Sequence, residues 1–128
     1  DYTDADMLFL PGGMPGSANL AAHEGLRQLL TTHKQAGKWL CAICAAPMVL
    51  GHLGLLKGTK ATCYPGFETE LQGASYTASL VEVDNHTITG KGPAAALGLG
   101  YAMVAALKDE ATAQALSDGM QYTFLCKR

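Results

Sequence analysis

Leu40-Cys41-Ala42-Ile43-Cys44-Ala45-Ala46-Pro47 is the stretch on which the fold turns. From Trp39 to Ile43 every residue is apolar, and an uninterrupted apolar run of this length predicts a strand covered on both faces, as in a parallel sheet. The strand ends at Cys44 and helical signals resume at once, with Pro47 in the first turn, where its missing N–H costs nothing. A buried strand that turns directly into a helix through a nucleophilic residue has the geometry of a nucleophile elbow. Such a turn strains the backbone of Cys44 and points its sulfur over the sheet edge. The helix start beneath it offers N–H groups and partial positive charge, which favour thiolate over thiol. Ala45 and Ala46 leave room for a substrate. The bland alternative is a buried structural cysteine, which is common.

Outward from this segment, strands alternate with helices. Met7-Leu8-Phe9-Leu10 reads as a second doubly covered strand that stops at Pro11-Gly12-Gly13. One amphipathic helix is expected next, capped by Ser17 or Asn19, carrying Ala22, Leu26, Leu29 and Leu30 on its apolar face and ending at Gly37. After the elbow, Met48, Leu50 and Leu53 continue a helix that Gly54 stops. Lys60 to Cys63 predicts a short strand broken by Tyr64-Pro65-Gly66, and Glu68 to Leu71 a single helical turn. Leu80 to Thr89 predicts a hairpin turning at Asp84-Asn85. Gly92-Pro93 precedes a long helix to about Leu107, and Glu110 to Met120 forms the last. This alternation predicts a doubly wound α/β layer. Two or three parallel strands plus a hairpin are few for so many covering helices, so a strand-helix-strand portion N-terminal to residue 1 is expected.

The chain has 128 residues, of which 48% are hydrophobic and 16% charged. With a mean hydropathy of +0.11, this is the reverse of a disordered composition. One domain covering residues 1–128 is expected. Nine Lys and Arg against eleven Asp and Glu give a net charge of −2. The basic residues are scattered, so no stripe exists to neutralise nucleic-acid phosphates. The longest uncharged apolar stretch, from Gly92 to Leu107, would span roughly 24 Å as a helix. A bilayer core needs about 30 Å, and Pro93, Gly98 and Gly100 interrupt the stretch, so a buried helix is the expectation and no membrane partner follows. The opening, Asp1-Tyr2-Thr3-Asp4, is acidic rather than a basic n-region, so no signal peptide is expected within these residues. Four unevenly spread cysteines make no disulfide framework, and a reducing, cytoplasmic setting is expected.

Pro11-Gly12-Gly13 also lies at a strand's C-terminal end, the edge along which open α/β sheets bind ligands. Glycines allow backbone amides to approach a ligand closely. Gly12 and Gly13, together with the N–H of Ala45, could therefore hold an oxyanion formed at an attacked carbonyl. Read alone, Gly-Gly is a tight turn; paired with the elbow it becomes half of a site. Cys41 and Cys44 form a CxxC, but Cys41 falls inside the apolar strand, against a thioredoxin-type pair. A zinc site with Cys63 and a histidine has no ligand spacing, and no metal is expected. His23 and His33 read as surface residues of the first helix, His52 as the end of the elbow helix and His86 as the hairpin turn. No Ser/His/Asp set can be assembled, and no general base for Cys44 is visible.

The succession of LPGG, AICAAP, ATCYPG and TITGKGP before a long Ala-rich helix resembles the DJ-1/ThiJ/PfpI superfamily over nearly the whole chain. The resemblance implies a flavodoxin-like three-layer sandwich with a mainly parallel sheet, of the class I glutamine amidotransferase-like kind. It implies a homodimer, and an N-terminal β-α-β portion, present in the same protein or as a separate chain. By resemblance, the reactive cysteine is Cys44 and the oxyanion amides are Gly13 and Ala45, beside Gly12; Tyr64, Pro65, Gly92 and Pro93 would line the substrate pocket. A glutamate that bonds the thiol belongs to the N-terminal portion, and no residue here matches it. Ala45 stands where the protease-like branch has histidine, which argues against a peptidase. Tyr64 stands where some DJ-1-like members have histidine. The activity implied is cofactor-free glyoxalase or deglycase chemistry on small carbonyls. An oxidative-stress sensor or chaperone-like protein using the same cysteine is the second reading, and a thiol hydrolase or amidase the third. Cys63, beside Tyr64, is a second redox-sensitive thiol on this reading.

Overall fold

Strand β2 (Trp39–Ile43) sets the layers, because its side chains alternate between two apolar clusters. Leu40 and Ala42 enter one cluster with Leu10, Leu30, Val49 and Leu50. Cys41 enters the other with Ile88 and Leu99. The computed structural model describes residues 2–126. In it β1 (Met7–Leu10) pairs in parallel with β2, and β2 in parallel with β6 (Thr87–Gly90). Antiparallel β5 (Val81–Asp84) closes the order β1-β2-β6-β5. Helices α1 (Gly16–Ala22), α2 (Glu24–Gln35) and α3 (Pro47–His52) contribute to the first cluster, and α4 (Ala96–Leu107) to the second. This is an α/β, flavodoxin-like arrangement with a mainly parallel sheet. Leu30, Leu40 and Leu50 are fully buried, each burial contributing about 1.5–3 kcal/mol.

Outside the sheet, β3 (Lys60–Ala61) and β4 (Ser75–Tyr76) form a short parallel ribbon. A 3-10 turn at Glu68–Glu70 lies between them. A second 3-10 turn, Pro93–Ala95, leads into α4, followed by α5 (Glu110–Gly119) and α6 (Tyr122–Cys126). No helix among the described residues is long and apolar enough to cross a membrane.

Several local expectations are corrected. The first helix is two helices: His23 is extended, and its Nδ1 accepts from the Leu26 N–H as the N-cap of α2. Neither Ser17 nor Asn19 caps; both lie inside α1, which begins after Pro15 without a side-chain cap. His33 is buried, not superficial. Phe9 is 44% exposed, so the double cover predicted for β1 holds for β2 but not for this edge strand. The strand predicted over Lys60–Cys63 is only two residues long. The hairpin turns at Asn85-His86, one residue later than read, with both residues at positive φ (53° and 57°). Such a pair is what a two-residue type I′ turn requires.

Candidate functional site

Cys44 has φ 65°, the left-handed region that non-glycine residues seldom occupy. It holds that conformation because its neighbours fix both of its peptide groups. Its N–H donates to the Gly90 carbonyl at 2.9 Å, and its carbonyl accepts from the Tyr64 N–H at 2.8 Å. The Ala46 N–H folds back to the Ile43 carbonyl at 3.0 Å. The turn is therefore pinned by strand β6 on one side and the Tyr64-Pro65-Gly66 loop on the other. The side chain is partly exposed, whereas Ala45 and Ala46 beneath it are buried. The helix end is more remote than the sequence implied. α3 is six residues long and starts at Pro47, so backbone strain and exposure distinguish Cys44 more than a helix dipole does.

Gly12 is pressed against this turn. A Cβ built on Gly12 would lie 2.6 Å from the Cys44 Cβ, 2.8 Å from the Ile43 carbonyl oxygen and 3.6 Å from the Ala45 nitrogen. Only glycine fits, and the close approach brings the Gly-Gly backbone beside the Ala45 amide. Gly13 follows at φ +94° with open space at its Cα, and its carbonyl accepts from the Ser17 N–H at 2.9 Å. Gly12, Cys44 and Ala45 thus stand together. Tyr64 is tied to Cys44 through the backbone, and its ring lies over Gly92, 3.3 Å from where a Cβ there would stand. Pro65 and Pro93 are exposed neighbours of these two residues.

The other thiols differ from Cys44. Cys41 is fully buried, and burial pushes its pKa up to about 12. A dithiol partnership through CxxC has no support from so inert a group. Cys63 is also fully buried, and burial, helped by the charges of Glu68 and Cys44, pushes it up to about 11 against the opposing pull of Lys91. Glu68, read from the sequence only as the start of a helical turn, accepts from the Gly66 N–H at 2.6 Å and so steadies the loop beside the site. Its position two residues beyond Gly66 was the available signal. Gly90 was another, since a Cβ there would meet Ile43 Cγ1 at 3.0 Å. Of the histidines, His52 bonds Glu70 at 3.0 Å and His86 stacks on Trp39 at 4.7 Å. A groove of about 530 Å³ between α4 and α5, lined by Trp39, Tyr101, Glu110 and Tyr122, includes none of the site residues. Among the described residues no three His, Cys, Asp or Glu side chains gather as a metal would require.

A strained cysteine turn beside a Gly-Gly loop, at the C-terminal edge of a flavodoxin-like sheet, defines an α/β protein with the geometry of a cysteine elbow. The profile of the DJ-1/PfpI family matches residues 1–106, and the chain belongs to that family. It is 37% identical over 108 residues to protein DJ-1 homolog B of Arabidopsis thaliana, covering 81% of this chain and 25% of that protein. It is 31% identical over 105 residues to a Caenorhabditis elegans protein named a glutathione-independent glyoxalase, covering 80% of this chain and 55% of that protein. The crystal structure of Toxoplasma gondii DJ-1 in an oxidized form superposes with a TM-score of 0.86 at 32% identity, covering 94% of this chain and 67% of that one. The chain spans 25%, 35% and 63% of the length of three curated relatives, the two Arabidopsis homologues and Drosophila melanogaster dj-1beta.

Proposed function

We propose that Cys44 is the nucleophile of a cofactor-free activity on small reactive carbonyls, of the glyoxalase or deglycase kind. The observation that carries this reading is the contact of Gly12 with a positive-φ Cys44 beside the Ala45 nitrogen. The likeness to a relative named a glyoxalase supports it.

The Cys44 sulfur attacks the aldehyde carbon of a substrate such as methylglyoxal, and a carbon–sulfur bond forms as the carbonyl π pair moves to oxygen. In this reading the amides of Gly13 and Ala45 hold that oxyanion. The product of this step is a hemithioacetal. Tyr64, Pro65, Gly92 and Pro93 wall the approach, and the Tyr64 hydroxyl donates to a second substrate oxygen. Moving a proton from the first substrate carbon to the second requires a carboxylate; the family resemblance assigns it to an N-terminal β-α-β portion. Hydrolysis of the resulting thioester yields lactate. The working form in this reading is a cytoplasmic homodimer.

The test is lactate production from methylglyoxal by the complete protein, with Cys44→Ser and Cys44→Ala beside it. Both variants are expected to fall to the rate of buffer alone while keeping the wild-type fold by circular dichroism. Wild-type turnover in either variant would overturn the assignment of Cys44.

A further inference from the structure

Cys63 lies next to Cys44, and the carbonyl chemistry has no use for it. Their relation follows from the backbone. The segment containing Lys60 and Thr62 runs alongside the hairpin: the Lys60 N–H donates to Asp84 Oδ2 at 2.8 Å, and the Thr62 N–H to Thr89 Oγ1 at 3.0 Å. Two residues further on, the Tyr64 N–H donates to the Cys44 carbonyl. This segment therefore runs in the same direction as β6, and so as β2. Because the Tyr64 nitrogen is bonded to the Cys63 carbonyl carbon, this 2.8 Å hydrogen bond sets the Cys63 backbone directly beside that of Cys44, near enough for the charge of Cys44 to act on the Cys63 thiol. Disulfides span Cα separations of roughly 4.4–6.8 Å. One thiol is partly exposed and the other is buried behind it, and all four cysteines are free.

We propose that Cys44 and Cys63 form a reversible disulfide driven by hydrogen peroxide, with Cys44 the peroxidatic and Cys63 the resolving cysteine. The Cys44 thiolate attacks one peroxide oxygen, the S–O bond forms and the O–O bond breaks, and hydroxide leaves. Sulfur is oxidised to sulfenic acid and peroxide is reduced. The Cys63 thiolate then attacks the Cys44 sulfur. The S–S bond forms, the S–O bond breaks, and hydroxide departs to take up the proton that Cys63 released. The proposal rests on Cys44 being the reactive thiol, as above, but not on carbonyl turnover.

The surroundings of Cys63 make the second step slow. With its pKa at about 11, roughly one Cys63 in 10,000 is thiolate at pH 7, against about 3% of an ordinary thiol. The more basic thiolate is about tenfold more nucleophilic, which offsets part of this, so resolution is expected to run roughly 20–30-fold below a free thiol and to quicken about tenfold per pH unit between pH 7 and 9. Sulfenic acid that waits for its partner is open to a second peroxide, which carries it to sulfinic acid. Low peroxide should then give the disulfide and high peroxide the sulfinate.

The experiment treats the full chain, in a Cys126→Ser background that removes the exposed thiol, with graded hydrogen peroxide at pH 7, 8 and 9. Alkylation, digestion without reductant and peptide mass mapping follow. The expected result is a linked pair of Cys44 and Cys63 peptides, two hydrogens lighter than the free pair and released by reductant, with a yield that rises with pH. Cys63→Ser should carry Cys44 to the sulfinate at peroxide doses where the wild type gives the link. Sulfinate at Cys44 with no linked peptide at any pH, unchanged by Cys63→Ser, would overturn the disulfide and leave the carbonyl reading standing. Failure of Cys44 to oxidise at all would overturn both.

Discussion

Gly12→Ala is the perturbation that tests the heart of the site. The new methyl would lie 2.6 Å from the Cys44 Cβ and 2.8 Å from the Ile43 oxygen, whereas carbon atoms pack at about 3.5–4.0 Å. The overlap of roughly 1 Å is with backbone and a Cβ, neither of which can rotate away, so the two segments must separate. Overpacking of this kind costs about 1–3 kcal/mol. With a urea dependence of about 1–3 kcal/mol per molar for small proteins, the unfolding midpoint should fall by about 1 M. Two neighbouring substitutions separate this clash from other effects of losing glycine. Gly13→Ala meets no atom within 4 Å but sits at φ +94°, so it carries only backbone strain, about 1–2 kcal/mol. Gly16→Ala meets nothing and opens α1, so it should stay within about 0.5 kcal/mol of wild type. The assay is urea unfolding of all three, with the rate of iodoacetamide labelling at Cys44 measured on the folded proteins. Gly12→Ala should change that rate and Gly16→Ala should not. A Gly12→Ala protein with the wild-type midpoint and the wild-type labelling rate would refute the close approach of the loop to the elbow.

Two further outcomes follow from side-chain burial. At pH 8, Cys41 at about 12 and Cys63 at about 11 are thiolate in roughly one molecule in 10,000 and one in 1,000, against about a quarter of an ordinary thiol; native-state labelling should spare both and mark Cys44 and Cys126, and rapid labelling of Cys41 would contradict its burial. His33 is 2% exposed with Nε2 lacking a hydrogen-bond partner among the described residues, and burial, with the nearby Lys38 charge, lowers its pKa against the weaker pull of Asp6. The folded chain therefore binds this proton more weakly than the unfolded one, so the stability is whole above about pH 6.5 and is lost as the pH falls below it; His33→Leu should flatten the urea midpoint between pH 7 and 5, and an unchanged slope would contradict the burial of the neutral ring.

What could be read from the residues alone, and what could not, divides along physical lines. β2 and the elbow were legible because five consecutive apolar residues leave few other structures, and because Cys44 followed by two alanines and a proline marks where the strand must stop. The closeness of the Gly-Gly loop to the elbow was legible only through their shared place at strand ends; its reason, a Cβ that would strike Cys44, is a contact between distant segments that no local pattern carries. The break at His23 was hidden because the apolar spacing continues across it, and the signal was the ability of a histidine nitrogen to accept from an N–H three residues on. His33 was misplaced for the converse reason: it sits among polar residues in sequence but faces inward on α2. Most consequentially, the bond from the Tyr64 N–H to the Cys44 carbonyl was invisible, since nothing in ATCYPG says which strand end it meets. That bond, with the one from the Cys44 N–H to Gly90, pins the strained turn of Cys44, and it sets Cys63 beside it. The positive-φ turn of Cys44 and the nearness of Cys63 to it therefore have a common structural origin, and a substitution that loosens the Tyr64 loop must disturb both.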